Sequence, residues 1–103
     1  MDQISQNIKE LQAYVWQKNI ERGFSKEVAE KKMLLLIEEV GELAKGIRQQ
    51  VGMGFSATTS RSDTAEELAD VLIVLLGLAS TLEIDIFDAL VKKEAKNAKR
   101  KWS

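Results

Sequence analysis

The feature that most constrains the fold is an apolar run at residues 68–82, in which Asp70 is the one ionisable residue. The run is about 15 residues long, whereas a helix that crosses a bilayer needs roughly 20 apolar residues. We therefore predict a core helix. Because such a helix is apolar on almost every face, it needs neighbours on every side.

The spacing of apolar residues predicts two helices before this run. The first carries one apolar stripe, runs to about residue 21 and stops before Gly23. The second follows Ser25, a plausible N-cap residue. The predicted buried stripe of the first helix is Ile4, Ile8, Leu11 and Val15, and that of the second is Met33, Ile37, Val40, Ala44, Ile47 and Val51.

Two more boundaries follow from capping residues and loop composition. Residues 52–62 are mostly small or hydroxylated and predict a loop, after which Ser62 or Asp63 caps the helix of the apolar run. Asp85 is expected to cap a fourth helix. One stripe of that helix holds Phe87, Val91, Ala95, Ala98 and Trp102, and the opposite stripe holds Lys93, Asn97 and Arg100.

Four helices with short connections predict an all-α fold, a four-helix antiparallel bundle that a second subunit completes. The chain has 103 residues, no proline, 45% hydrophobic residues and 30% charged residues, which suits one helical domain over residues 1–103. The start of the chain has neither a basic segment nor an apolar stretch behind it, so we expect a cytoplasmic protein.

Composition also removes several kinds of chemistry. The chain has no cysteine and no histidine, which excludes disulfides, thiolate nucleophiles, Cys/His zinc sites and Ser-His triads. A formal net charge of -1 predicts no overall attraction to nucleic acid or to an anionic membrane. Carboxylates, lysines, hydroxyls and a bound metal remain for catalysis.

Two pairs of carboxylates lie at helical spacing. Glu39 and Glu42 share a face of the second helix, and Glu67 and Asp70 share a face of the third. Asp70 lies within the apolar run, where an unpaired charge is costly. A hard divalent cation held by all four carboxylates, Mg²⁺ or Mn²⁺, would offset that cost. The alternative is a solvated acidic face, the usual fate of helical glutamates.

These residues, together with their surroundings, resemble a known family, the MazG-like all-α nucleoside triphosphate pyrophosphohydrolases. The pairing of E-x-x-E with E-x-x-D across one helix and loop is more specific than either motif alone. The matching segments are Leu36-Ile37-Glu38-Glu39-Val40-Gly41-Glu42-Leu43-Ala44 and Glu66-Glu67-Leu68-Ala69-Asp70-Val71-Leu72, followed by a K-x3-N-x2-R pattern at Lys93, Asn97 and Arg100. Relatives often continue with Tyr-Pro, whereas this chain has Lys101 and Trp102.

The resemblance implies hydrolysis of a (deoxy)nucleoside triphosphate to the monophosphate and pyrophosphate, in dNTP pool control or in clearing damaged nucleotides. It implies a homo-oligomer with a dimer as the minimum unit, and a tetramer is the other option. The implied roles are Mg²⁺ ligation by Glu39, Glu42, Glu67 and Asp70, orientation or deprotonation of water by Glu38, and phosphate binding by Lys93, Asn97 and Arg100. The last three are otherwise read as a solvated helix end.

Aromatic rings are the candidates for stacking on the base. The candidates are Phe24, Trp16, Phe55 and Trp102, and each of them alone fits a core or interface position better than a pocket. The resemblance ranks Phe24 first, because it precedes the second helix in a region where members of the family often carry an aromatic near the nucleoside. Trp102 could replace the aromatic of the relatives' Tyr-Pro. Two rival functions remain open. One is a non-enzymatic helical interaction module, which explains Asp70 poorly. The other is a nucleic-acid binder that uses the basic residues between 92 and 101.

Overall fold

Helices make up most of residues 7–51 and 61–100, the part of the chain that the computed structural model describes, with side chains described from residue 64 in the second range. The four helices are α1 (Asn7–Glu21), α2 (Ala29–Gln50), α3 (Arg61–Thr81) and α4 (Ile86–Lys99). No strand occurs in these ranges, so the all-α prediction is confirmed.

Two helix boundaries follow from local chemistry, and a third differs from the prediction. Gly23 has a φ of 81°, a conformation that glycine adopts without strain, and it ends α1 as predicted. Asp85 caps α4, because its side chain accepts a hydrogen bond from the Asp88 N–H at 3.0 Å. The prediction for Ser25 was wrong: Val28 is the N-cap residue of α2, and Ser25 lies in the turn before it.

The start of α3 also differs slightly from expectation. The helix α3 begins at Arg61, so Ser62 and Asp63 lie inside it rather than before it. The predicted loop is therefore shorter at its C-terminal end, and its residues 52–60 lie outside the described part of the chain. Ile4 and Trp102, which were placed on apolar stripes, also lie outside it.

Helices α2 and α3 pack side by side in opposite directions. A Cβ added to Gly46, late in α2, would lie 3.5 Å from Thr64 Oγ1, early in α3. Near the other end, Lys32 lines the same cavity as Gly77. Because positions late in α2 meet positions early in α3, the two helices are antiparallel. Side chains on their facing surfaces are thereby held close together.

Helix α1 packs antiparallel to α3, and α4 packs chiefly against α1. Gln12 is 7% exposed, and its Nε2 donates to Ser80 Oγ at 3.0 Å and to the Ile84 carbonyl at 2.8 Å. Its Oε1 accepts from the Ile86 N–H at 2.9 Å. This single side chain therefore ties α1 to the connection between α3 and α4. We call these contacts the α3–α4 junction.

The expectation that α3 is buried on all sides was wrong for a single chain. Among the described residues, the buried hydrophobic side chains are Val15, Leu76 and Ala79. Within the described residues, α3 packs mainly against α1 and α2, whereas α4 packs mainly on α1. Several large apolar side chains of α3 are therefore exposed: Leu68, Leu72, Ile73, Leu75 and Leu82.

The predicted buried face of α2 is also exposed in a single chain. Ile37 is 55% exposed and Val51 68%. The α2 residues that face α3 each lie one position before a residue of the predicted stripe, as Lys32 and Leu36 do. One position corresponds to about 100° around a helix, so the packed face and the predicted face differ by that angle. We call the exposed set the α2 apolar stripe: Met33, Ile37, Val40, Ala44, Ile47 and Val51.

The single chain is also more extended than its length predicts. Its radius of gyration is 16.3 Å, against about 13 Å for a compact domain of this length. Within the described ranges, no helix is both long and apolar enough to cross a membrane.

Candidate metal centre

Three carboxylates meet where α2 and α3 face each other. Glu39 lies on the α3-facing side of α2, and Glu67 and Asp70 lie three residues apart on α3. One oxygen from each lies within 4.8 Å of the others. Glu39 and Glu67 are half-buried and Asp70 is exposed. The antiparallel packing therefore brings together three of the four predicted metal ligands.

Glu67 is the residue at this cluster with the greatest need for a partner. Its Oε2 is fully buried and accepts no hydrogen bond in the described part of the chain. Burial raises the pKa of this carboxyl above its usual range, and the charges of Glu39, Asp70 and Glu42 raise it further. The cluster is thus a crowded set of negative groups with one oxygen that lacks a donor.

This geometry corrects the ranking made from sequence. Asp70 was singled out because it interrupts an apolar run, but the side of α3 that carries it is exposed in a single chain. Glu67, one turn earlier, is the more enclosed carboxylate. Glu42 is exposed and close enough to act on the pKa of Glu67, but it is outside the group of three. Its role as a fourth ligand stays a prediction.

The cluster suits a hard divalent cation. Its donors are carboxylate oxygens, the ligands that such cations prefer, and it contains no nitrogen or sulfur ligand. A cation would also supply the missing partner of the buried Glu67 oxygen, since an unpaired buried carboxylate is unfavourable. The residues present therefore fit a metal such as Mg²⁺ or Mn²⁺.

A cavity of about 210 Å³ lies between α1, α2, α3 and the α1–α2 turn, and the clustered carboxylates are not among its lining residues. Its walls on the two helices include Leu35, four residues before Glu39, and Ile73 and Val74, three and four residues after Asp70. The cavity therefore begins about one helical turn, roughly 5 Å, from the carboxylates. Phe24, the aromatic residue ranked first for base stacking, also lines it.

Lys32 is a residue that the sequence reasoning missed. It is 4% exposed, lines the cavity, and donates a hydrogen bond from Nζ to the Phe24 carbonyl at 2.7 Å. One signal for it was available, because Lys32 precedes Glu39 by seven residues and therefore shares its face of α2. Apart from that spacing, a lysine on a charged helix reads as a surface residue.

The structure does not bring the predicted phosphate-binding residues of α4 to the carboxylates within the described part of one chain, and Glu38 adjoins Glu39 without belonging to the cluster. Lys93 is exposed on α4, which packs on α1. Asn97 donates from Nδ2 to Glu94 at 3.4 Å, its Oδ1 is buried without a partner in the described residues, and its carbonyl accepts from the Arg100 N–H. Glu38 is exposed on α2. Trp102 lies outside the described residues, and all these roles stay predictions.

Comparison with known protein families agrees with this geometry. The model of the MazG nucleotide pyrophosphohydrolase domain matches residues 27–102, about three quarters of the chain. The match includes all of α2, α3 and α4, and so all four predicted metal ligands. A comparison with curated proteins found no matching relative. On this match, the chain belongs to the MazG family of nucleotide pyrophosphohydrolases.

Proposed function

We propose that this protein hydrolyses (deoxy)nucleoside triphosphates to the nucleoside monophosphate and pyrophosphate in a Mg²⁺-dependent reaction. The observation that carries the proposal is the cluster of Glu39, Glu67 and Asp70, in which a buried Glu67 oxygen lacks a partner among the described residues. Membership of a nucleotide pyrophosphohydrolase family supports the reaction class.

The metal in this proposal is Mg²⁺, with Mn²⁺ as a substitute, and its ligands are Glu39, Glu42, Glu67 and Asp70. When bound, the cation supplies Lewis-acid stabilisation of the charge that develops on the phosphate oxygens. Glu38 adjoins Glu39 and is exposed, so water can reach its carboxylate. We assign Glu38 to orient the attacking water and to accept its proton.

The nucleoside in this proposal lies in the cavity beside the cluster. Leu35, Ile73 and Val74 provide apolar walls about one helical turn from the carboxylates, and Phe24 provides a ring for stacking. This order, with phosphates at the carboxylates and the base in the cavity, matches the shape of a nucleotide. Trp102 remains a second candidate for contact with the base.

Assembly completes the site in this proposal. The α2 apolar stripe and the large radius of gyration are what a chain shows when another copy normally covers it. We infer a homodimer as the minimum unit, with a tetramer as the larger option. In the assembled protein we expect Lys93, Asn97 and Arg100 to bind the outer phosphates, because cations and amide donors suit those oxygens.

The physiological role in this proposal is control of dNTP pools or removal of damaged nucleotides. The exposed α2 apolar stripe also favours a second candidate, a non-enzymatic helical interaction module. That candidate accounts for the exposed apolar residues but gives no role to the three carboxylates that the fold brings together.

The test is a product analysis with matched variants. Each dNTP is incubated with Mg²⁺, and pyrophosphate release is followed with and without EDTA. We expect pyrophosphate from the wild type, none with EDTA, and none from Glu67→Gln. Glu66→Gln is the control, because Glu66 is the exposed neighbour outside the cluster. Orthophosphate as the first product would contradict attack at the α-phosphorus.

A further inference from the structure

Lys32 is the one buried charged residue among the described residues. Removing an ammonium group from water is unfavourable unless the protein supplies well-placed acceptors. This lysine lies on a helix whose other lysines, Lys31 and Lys45, are exposed. Its burial therefore needs an explanation beyond helix propensity.

The partners of Lys32 account for only part of its hydrogen-bonding capacity. Its Nζ donates to the Phe24 carbonyl at 2.7 Å and lies 3.5 Å from Glu27 Oε1. Glu27 is shared, because Lys31 Nζ approaches its other oxygen at 3.0 Å from the solvent side. An ammonium group has three N–H donors. One of them has no acceptor among the described residues.

The position of Lys32 places this donor at the far end of the cavity. Lys32 precedes Glu39 by seven residues, about 10 Å along the helix, whereas Leu35 precedes it by four. On α3, Gly77 lines the same end of the cavity. A Cβ at Gly77 would lie 2.8 Å from Asn19 Nδ2, so the wall there is already closely packed. The buried ammonium thus lies at the end farthest from the carboxylates.

The part of a nucleotide farthest from its phosphates is the outer edge of the base. That edge carries the substituent at position 4 of a pyrimidine or position 6 of a purine. The substituent is a carbonyl oxygen in uracil, thymine, guanine and hypoxanthine, and an amino group in cytosine and adenine. An ammonium group only donates hydrogen bonds, so it pairs with the oxygen and opposes the amino group.

We propose that Lys32 is a specificity-determining residue whose ammonium donates to the carbonyl oxygen at the outer edge of the base, so that the protein prefers keto bases to amino bases. This inference rests on the proposed function, since it takes the cavity as the nucleoside site. Glu27 and Asn19 are competing groups in the same cavity, because a carboxylate and an amide oxygen can accept from an amino group, and Arg22 is a second cation in its lining. Because Lys31 and Lys32 both pair with the Glu27 carboxylate, this carboxylate is less available to accept from an amino group, which favours recognition of a keto base by Lys32.

The experiment uses two substrate pairs that differ at this edge, dITP with dATP and dUTP with dCTP. We measure kcat/KM with Mg²⁺ for wild type, Lys32→Met and Lys31→Met. We expect the wild type to prefer the keto member of each pair by about tenfold or more, as for a charged hydrogen bond. Lys32→Met should bring both ratios close to one. Lys31→Met, which alters the exposed lysine on the same Glu27, should keep them.

The ratio within one variant separates specificity from folding, because a loss of folded enzyme lowers both rates equally. Equal rates for both members in the wild type would overturn the inference. So would a Lys32→Met variant that lowers all four rates by one factor, since that result assigns the lysine to a structural role or to phosphate or sugar. A preference for amino bases would mean that Glu27, rather than Lys32, contacts the outer edge of the base, and it would also overturn the inference.

A binding measurement keeps this inference separate from the proposed function. Affinities of the monophosphates dIMP, dAMP, dUMP and dCMP are measured by calorimetry on the same three proteins. Tighter binding of dIMP and dUMP by the wild type, lost in Lys32→Met, supports the inference even if no triphosphate is hydrolysed. Absence of turnover with that binding pattern would overturn the reaction alone. Equal binding of all four would overturn the inference.

Discussion

The α3–α4 junction and the carboxylate cluster both place polar side chains between packed helices, but they differ in whether those side chains have partners. At the junction, both polar atoms of Gln12 are engaged, and Lys9 pairs with Asp85 at 2.7 Å and with Asp88 at 3.2 Å. At the cluster, Glu67 has a buried oxygen without a partner in the described residues and negative neighbours.

This contrast distinguishes polar groups that stabilise the fold from polar groups that bind a ligand in a small helical protein. A buried group that has its hydrogen bonds stabilises the fold, and removing it leaves its partners unpaired. A buried carboxylate oxygen without them, among other negative groups, is unfavourable in the free protein and marks a candidate site for a cation. Substitutions at the junction should therefore reduce stability, whereas substitutions at the cluster should reduce turnover.

The largest effect is expected at the cluster. Glu67→Gln should lower kcat/KM for the best dNTP by about 100-fold or more, because it removes a metal ligand while keeping the shape of the side chain. Steady-state kinetics with Mg²⁺ measures the loss, and circular dichroism checks that the helices remain. Wild-type turnover in this variant would remove the basis for the metal site.

The second prediction concerns assembly. Ile37→Asp places a charge in the middle of the α2 apolar stripe, and we expect it to convert the proposed oligomer to monomers, since burying an unpaired charge is costly. Sedimentation velocity measures the change. Lys45→Glu alters the charge of α2 beside the stripe and should keep the wild-type mass. A monomeric wild type would show that this stripe has another use.

The third prediction tests the junction. Gln12→Leu should lower the free energy of unfolding by about 2–4 kcal/mol, because the Ile84 carbonyl and the Ile86 N–H lose their partner. Urea denaturation at fixed protein concentration measures it. Gln17→Leu, on the exposed side of the same helix, should change stability by less than about 0.5 kcal/mol. Equal effects of the two variants would contradict the role given to Gln12.

The fold was predictable from sequence to the extent that it depends on local spacing. The end of α1 could be predicted from the turn residue Gly23, and the start of α4 from the capping residue Asp85. The face of α2 that packs against α3 in a single chain could not be predicted from the sequence. Its apolar residues spread over a wide arc, and periodicity alone does not say which part meets α3 and which part stays open.

The site was predictable in a similar way. Glu39, Glu67 and Asp70 could be paired because i, i+3 spacing fixes a face of a helix, and the structure brings these three together. The burial of Lys32 and Gln12 could not be foreseen. Gln12 bonds to groups 68 to 74 residues away, and only the packing of α1 on α3 creates those contacts.

A smaller effect is expected at the N-cap of α4. Asp85→Ala should lower Tm by a few degrees, because the Asp88 N–H and Lys9 lose an acceptor. The hydrogen bond from Lys9 and that from the Asp88 N–H hold the pKa of Asp85 below its usual range. The stabilisation is therefore present at neutral pH and lost as pH falls through that lowered pKa. Thermal melts from neutral pH to about pH 3 should show the two proteins converging.

The smallest expected change in Tm is an increase, whereas Asp85→Ala lowers Tm. Without metal, Asp70→Asn should raise Tm slightly, because it removes one charge from a crowded negative cluster. Melting curves in EDTA measure the effect, with Asp88→Asn as a control at a carboxylate that pairs with Lys9. A lower Tm for Asp70→Asn than for the wild type would mean that Asp70 stabilises the fold.

We propose that the carboxylate cluster binds a divalent cation through Glu67. Mn²⁺ titration of the nucleotide-free protein, followed by electron paramagnetic resonance, tests this for wild type, Glu67→Gln and Glu66→Gln. We expect bound Mn²⁺ that Mg²⁺ displaces in the wild type and in Glu66→Gln, and binding weakened by about tenfold or more in Glu67→Gln. Equal binding by all three proteins, or none by the wild type, would contradict it.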